Sequence, residues 1–126
     1  MSDPEKAEEK EVCLLDDDPS VLRSMRFLLA SEGLTTRAFE KPEEFLAHAA
    51  GNQVPVLVTD IWMEPMTGLE VLARLCAISP KTKVIVITAR EDLGARVTAT
   101  AIGPVAFLTK PFDDEEFLAA IRTALS

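Results

Sequence analysis

Two hydrophobic periods alternate along this chain. Val12 to Leu15, Val56 to Asp60, Lys83 to Thr88 and Val105 to Thr109 are short runs dense in β-branched and leucine residues. Runs of this kind, bounded by turn residues, are the pattern of strands buried on both faces of a sheet. Thr35 to Phe39 is β-rich and reads as an edge strand. Between these runs the apolar residues return at helical spacing. Asp18-Pro19 opens a first helix as cap and first helical residue, Leu22, Met25, Leu28 and Leu29 line one face, and Gly33 stops it. Residues 42 to 50 make a second helix, opened by Pro42, Glu43 and Glu44. Leu69, Val71, Leu72, Leu75 and Ile78 make a third that ends at Ser79-Pro80. Glu91 to Ile102 predicts a fourth helix despite the poor helix formers Gly94, Thr98 and Thr100. Asp113 to Leu125 predicts the last, with Phe117, Leu118, Ile121 and Leu125 on one face.

Strands that alternate with helices imply right-handed crossovers and an α/β fold with a parallel sheet covered on both faces. In such sheets ligands sit outside the carboxyl ends of the strands. The residues that stand there are chemically marked. Asp16 and Asp17 follow the first strand, Asp60 ends the third, Thr88 ends the fourth, and Lys110 follows the fifth. Asp60 alone would read as a turn residue. With the other strand ends beside it, the group reads as a site of carboxylates, a hydroxyl and an ammonium.

Composition narrows what that site can do. The chain of 126 residues is sized for one domain, and no apolar run approaches the length of a membrane span. Residues 1–11 are mostly charged and are expected to form a disordered acidic tail ahead of a domain at 12–126. No targeting signal is visible, so the cytoplasm is the expected compartment. The net charge of −8 repels a phosphate backbone and argues against direct nucleic-acid binding. Cys13 and Cys76 lack a CxxC or His partner in the sequence and read as reduced core thiols. His48, the single histidine, reads as a surface or half-buried helix residue.

Clustered carboxylates repel, so either their pKa values rise or a cation sits among them. Hard oxygen donors suit Mg²⁺ or Mn²⁺. There is neither a GxxxxGK[ST] nor a GxGxxG phosphate cradle and no Ser/His/Asp set. What remains is a carboxylate acting as nucleophile toward phosphorus, with the metal, Thr88 and Lys110 neutralising phosphoryl oxygens.

The acidic pair after strand 1, Asp60 after strand 3, Thr88-Ala89 after strand 4 and Lys110-Pro111 after strand 5 resemble the receiver domain of two-component response regulators. The resemblance spans residues 12 to 125. It implies a flavodoxin-like (βα)5 three-layer sandwich with strand order 2-1-3-4-5. It implies that Asp60 is the phosphoacceptor, that Asp17 binds Mg²⁺ directly with Asp16 assisting through water, and that the Trp62 backbone carbonyl is a further ligand. Thr88 and Lys110 would contact the phosphoryl group, and the Lys110-Pro111 bond would be cis. Phe107 aligns with the switch aromatic, and a packed core aromatic is the alternative for it. Trp62 and Arg90 hold the two positions that tune phosphoryl lifetime. The implied partners are a sensor histidine kinase or phosphotransfer protein, and a homodimer through helix 4, strand 5 and helix 5. The implied chemistry is the domain's own phosphorylation and dephosphorylation, without a separate substrate.

One departure stands out. Family members usually have Pro four residues after the phosphoacceptor, in a Met-Pro-x-Met-x-Gly loop, whereas here Met63-Glu64-Pro65-Met66-Thr67-Gly68 exchanges Glu and Pro. Two rivals stay open: a receiver-like interaction module that is not phosphorylated, and a metal-dependent phosphohydrolase. The latter would want an acid two residues after Asp60, where Trp62 stands.

Overall fold

The computed structural model describes residues 11–88, 93–103 and 105–126. Strands β1 (Val12–Leu15), β2 (Thr36–Phe39), β3 (Val56–Asp60), β4 (Lys83–Thr88) and β5 (Val105–Thr109) alternate with helices α1 (Pro19–Ser31), α2 (Pro42–Gly51), α3 (Gly68–Ile78), α4 (Leu93–Ile102) and α5 (Asp114–Leu125). All neighbouring strands are parallel, in the order β2-β1-β3-β4-β5. This is the flavodoxin-like arrangement, and β2 is an edge strand as expected.

The alternation of side chains along each strand divides the core in two. Cys13, Leu15, Leu57, Val84 and Val86 face α2, α3 and α4, which contribute Phe45, Val71, Leu72, Leu75 and the small Ala95 and Ala99. Val12, Leu14, Val56, Val58, Ile85 and Ile87 face α1 and α5, which contribute Leu22, Met25, Leu29, Phe117, Leu118 and Ile121. Helices on both faces make the three layers, and they explain why the central strands read as unbroken apolar runs.

Element ends follow local chemistry. Asp18 caps α1, its carboxylate accepting from the Ser20 amide, with Pro19 in the first turn. Gly33, at φ 75°, closes that helix: its amide donates to the Ala30 carbonyl, and Leu34 N–H donates to Leu29. Thr67 caps α3 and Asp113 caps α5, so α5 begins one residue later than the periodicity predicts. A cap residue is extended, and periodicity cannot separate it from the first turn. The expected start of the fourth helix at Glu91 lies outside the described residues, as do residues 1–10 of the expected tail. Glu11 is described. It lies against β2, its carboxylate paired with the Arg37 guanidinium at 3.2 Å. Cys13 is buried and Cys76 half-buried, both as free thiols. Among the described residues no helix is long and apolar enough to cross a membrane.

The helices are unequally anchored. α5 buries Phe117, Leu118 and Ile121, and its Asp113 cap accepts from the Glu116 amide. The buried residues of α4 among those described are Ala95 and Ala99, whose side chains offer little area to the sheet. Backbone amides of α4 are therefore expected to exchange with deuterium faster than those of α5 in the unmodified protein. Equal protection of the two helices, by residue-resolved exchange, would remove the argument.

Candidate functional site

The register of the sheet builds the site. Leu15 pairs with Thr59, so Asp16, the next residue, comes level with Asp60 on the adjoining strand. Asp60 pairs with Ile87, which puts Thr88 one step beyond it. Thr88 pairs with Thr109, and the Lys110 amide donates to the Thr88 carbonyl at 2.7 Å. Residues far apart in sequence thus line up along one sheet edge because the ladder leaves them no other place.

Burial and charge differ sharply along that row. Asp16 is only 3% exposed, and Thr88 is likewise buried. Asp60 and Lys110 are half-buried and Asp17 is exposed. Burial pushes the Asp16 carboxyl up to about 6. The Asp18 amide, donating to its Oδ1 at 2.9 Å, opposes this rise. The Asp60 and Asp17 carboxylates add to it, while the Lys110 ammonium pulls the other way. These Coulombic influences place Asp60, Asp17 and Lys110 within electrostatic reach of Asp16. Asp18, beside them in sequence, is spent on its cap. Its Oδ1 accepts from the Ser20 amide and hydroxyl, which holds its carboxyl below the ordinary range.

The backbone past Asp60 is held tightly. Ile61 N–H donates to the Ile87 carbonyl at 3.1 Å, and Gly68 N–H donates to the Ile61 carbonyl at 2.8 Å. The Trp62 amide donates to Asp60 Oδ1 at 3.3 Å, while its indole is 57% exposed. A Cβ at Gly68 would run into the Asp60 carbonyl oxygen and come within 2.9 Å of Ile61 Cα. Glycine is therefore required there by close backbone approach. In the loop between, Met63 and Met66 are buried, and the Glu64-Pro65 bond is cis. The periodicity of the sequence carried no sign of that bond. The Lys110-Pro111 bond is also cis.

The remaining candidates lie further along β5 or beyond the description. Phe107 is half-buried on the α2–α4 face, and the Arg96 guanidinium from α4 sits over its ring at 4.8 Å. That contact joins residues with no sequence signal linking them. Ala89 and Arg90 lie outside the described residues. The chemistry of the row is then plain: oxygen donors of the hard kind that suit Mg²⁺ or Mn²⁺, a carboxylate able to act as nucleophile, and a hydroxyl and an ammonium able to bind an oxyanion.

Comparison with known proteins agrees with this picture. The family model described as "Response regulator receiver domain" matches residues 12–122. The DNA-binding transcriptional regulator NtrC of Salmonella typhimurium is 39% identical over 115 residues, covering 91% of this chain and 24% of that protein. The chain spans about a quarter to a half of the length of the curated relatives it matches. Among solved structures, a CheY-like receiver domain protein from Methanospirillum hungatei superposes with a TM-score of 0.87 at 27% identity, covering 92% of this chain and 93% of the other. A Burkholderia pseudomallei response regulator, crystallised with a phosphorylated aspartic acid, calcium ion and citrate, superposes at 0.82 with 25% identity, covering 92% and 68%.

Two consequences are measurable. Gly68→Ala should lower stability by about 1–3 kcal/mol in urea denaturation, since the new methyl group meets backbone rather than a yielding side chain; an unchanged midpoint would refute the close approach. The second concerns pH. A carboxyl raised from 3.8 to about 6 binds its proton more tightly in the folded than in the unfolded chain. Its contribution to stability is therefore fully present below about pH 4 and lost as pH rises through 6. In metal-free buffer, Asp16→Asn should flatten the decline in stability across that window; an unaltered profile would rule out Asp16 as its source.

Proposed function

This chain belongs to the response regulator receiver domain family, and from that premise we propose that it is the phospho-accepting receiver of a two-component phosphorelay, taking a phosphoryl group onto Asp60 from a sensor histidine kinase or phosphotransfer protein. The observation that carries the reading is the strand register, which sets Asp60 beside Asp16, Thr88 and Lys110 at one sheet edge.

Asp16, Asp17, Asp60 and the Trp62 carbonyl are the groups that would hold Mg²⁺, or Mn²⁺. Their oxygen donors, with mutually repelling carboxylates at the centre, fit a hard divalent cation. Bound there, such an ion supplies the positive charge that an anionic phosphodonor needs to approach three carboxylates.

The chain's own residues do the rest. An Asp60 carboxylate oxygen attacks phosphorus, and the acyl–phosphate bond forms as the donor's bond to phosphorus breaks, with the electron pair leaving on the donor. Lys110 offers its ammonium and Thr88 its hydroxyl to the phosphoryl oxygens. Hydrolysis of the acyl phosphate by water resets the domain, at a rate tuned by the residue types at Trp62 and Arg90. These self-directed steps are its only catalysis.

Phosphorylation adds about −1.5 to −2 charges at the edge. Thr88 and Lys110 follow that charge, Phe107 leaves its place under Arg96 to turn inward, and α4, the lightly anchored helix, takes a second packing. The surface of α4, β5 and α5 then controls a partner, an output domain or a second copy of the domain. The expected setting is the cytoplasm, where the kinase's phosphoryl donor lies. The exposed Trp62 stands where a phosphohydrolase would need an acid, which disfavours action on a separate substrate.

Incubation with Mg²⁺ and acetyl phosphate should add one phosphoryl group to the intact mass of the protein and none to Asp60→Asn. An unchanged mass, in a sample where Mg²⁺ binding is detected, would shift the reading to an interaction module that is not phosphorylated.

A further inference from the structure

At the opposite end of the sheet from the acidic row, three ligand-type side chains meet. A carboxylate oxygen of Glu11, the sulfur of Cys13 and a ring nitrogen of His48 all lie within 4.8 Å of one another. Glu11 stands just before β1 and Cys13 within it, and His48 comes from α2, which packs over that strand. A second observation points to a ligand. His48 Nε2 is shut off from solvent and has no hydrogen-bond partner. A buried polar atom without a partner is costly, so its survival in a folded core asks for an explanation. The other ring nitrogen, Nδ1, faces the exposed Asn52 amide at 3.3 Å, which leaves Nε2 as the nitrogen for the interior. Phe39 packs against the imidazole at 5.4 Å between ring centres and fixes its plane.

We propose that Glu11, Cys13 and His48 form a binding site for Zn²⁺, with water in the fourth position. A thiolate, an imidazole and a carboxylate are the three donor types that zinc takes, and the thiolate rejects the hard ions suited to the acidic row. In a tetrahedral zinc site neighbouring donor atoms stand roughly 3.5 Å apart. The three groups therefore need to close by about an ångström, within reach of side-chain rotation for Glu11 and His48.

Binding exchanges three contacts. Cys13 gives up its thiol proton to solvent as the zinc–sulfur bond forms. Nε2 of His48 binds through its lone pair, which puts the ring proton on Nδ1; Asn52 turns its exposed amide to present oxygen there and gives up its hydrogen bond to the His48 carbonyl. Glu11 leaves Arg37, whose guanidinium is half-exposed, so the lost ion pair is one of the weakly contributing surface kind. The Glu11 side chain itself is 15% exposed and forms the mouth of the site.

Co²⁺, a spectroscopic stand-in for Zn²⁺, tests the assignment in the full chain with a non-thiol reductant present. A sulfur-to-cobalt charge-transfer band should appear in the wild type and be displaced by Zn²⁺. It should persist in Asp60→Asn, which removes the acidic row, and in Cys76→Ala, which removes the other thiol. It should vanish in Cys13→Ser. His48→Ala, a helix-compatible change at a half-buried position, should weaken Co²⁺ binding by at least about tenfold while the fold is retained, since even outer-shell partners of a metal contribute that much. A folded wild type that takes up Co²⁺ without the sulfur band would overturn the proposal. So would a band that survives Cys13→Ser or that depends on Cys76.

Discussion

The structure depends on a conflict at one sheet edge: the parallel register forces carboxylates together at a place where burial disfavours their charge. Unit charges about 4 Å apart interact by roughly 4 kcal/mol at the effective dielectric of a protein surface region. A single backbone hydrogen bond, such as the one from the Asp18 amide to Asp16, offsets about 1.5–3 kcal/mol when the acceptor is charged. The Asp18 amide on Asp16, the Trp62 amide on Asp60 and the Lys110 ammonium offset that repulsion only in part. Burial first, and the neighbouring carboxylates after it, push the Asp16 carboxyl up to about 6, so protonation of Asp16 is one relief of the conflict. A divalent cation, and later a phosphoryl group drawn to Thr88 and Lys110, are the other answers that the proposed function would supply. The function proposed for the chain is in this sense the relief of a strain that its topology imposes.

Holding such a conflict in place requires a rigid frame, and the residues around Asp60 supply it. The Ile61 amide is tied to β4 and its carbonyl to Gly68. The absence of a side chain at Gly68 lets α3 start against the Asp60 backbone itself. Met63 and Met66 plug the loop into the core between these ties. A flexible strand end would let the carboxylates drift apart and lower their repulsion, and with it the response to charge. The rigidity stops short of α4, whose buried residues among those described are alanines. Stiffness at Asp60 and looseness in α4 are the complementary requirements of the two-state switch proposed for the chain.

Much of this was legible in the residues alone, for reasons that are local. Unbroken apolar runs ending in Asp60, Thr88 and Lys110 mark strands buried on both faces, and parallel topology then brings their ends together. Leu22, Met25 and Leu29 on α1, or Phe117 and Ile121 on α5, recur at a spacing that no strand could use. Helix starts were less sharp, because Thr67 and Asp113 are extended caps that belong to both the loop and the helix. The cis bond at Glu64-Pro65, the guanidinium of Arg96 over Phe107 and the meeting of Glu11 and Cys13 with His48 were not legible at all. Each joins groups through a turn or across two elements, and neither hydrophobic period nor a motif encodes it. Cys13 and His48 read as unconnected for that reason: the chain between them runs through α1 and β2.

The two ends of β1 now carry different chemistry, and the strand between them invites the idea that zinc at one end governs phosphorylation at the other. The thermodynamics argue against it. A ligand shifts a two-state equilibrium only by its difference in affinity for the two states. The movements proposed to accompany phosphorylation involve Thr88, Phe107 and α4, on β4, β5 and beyond. Glu11 stands just before β1, Cys13 on it and His48 on α2, across β3 from β4 and β5, while Cys13 shares the α2–α4 face of the core with Ala95, Ala99 and Phe107. Zinc bound equally to both packings would stabilise both and favour neither. The proposed soft site would then be a staple that joins the first strand to its covering helix, and the proposed response of the acidic row to a phosphoryl group would not depend on it.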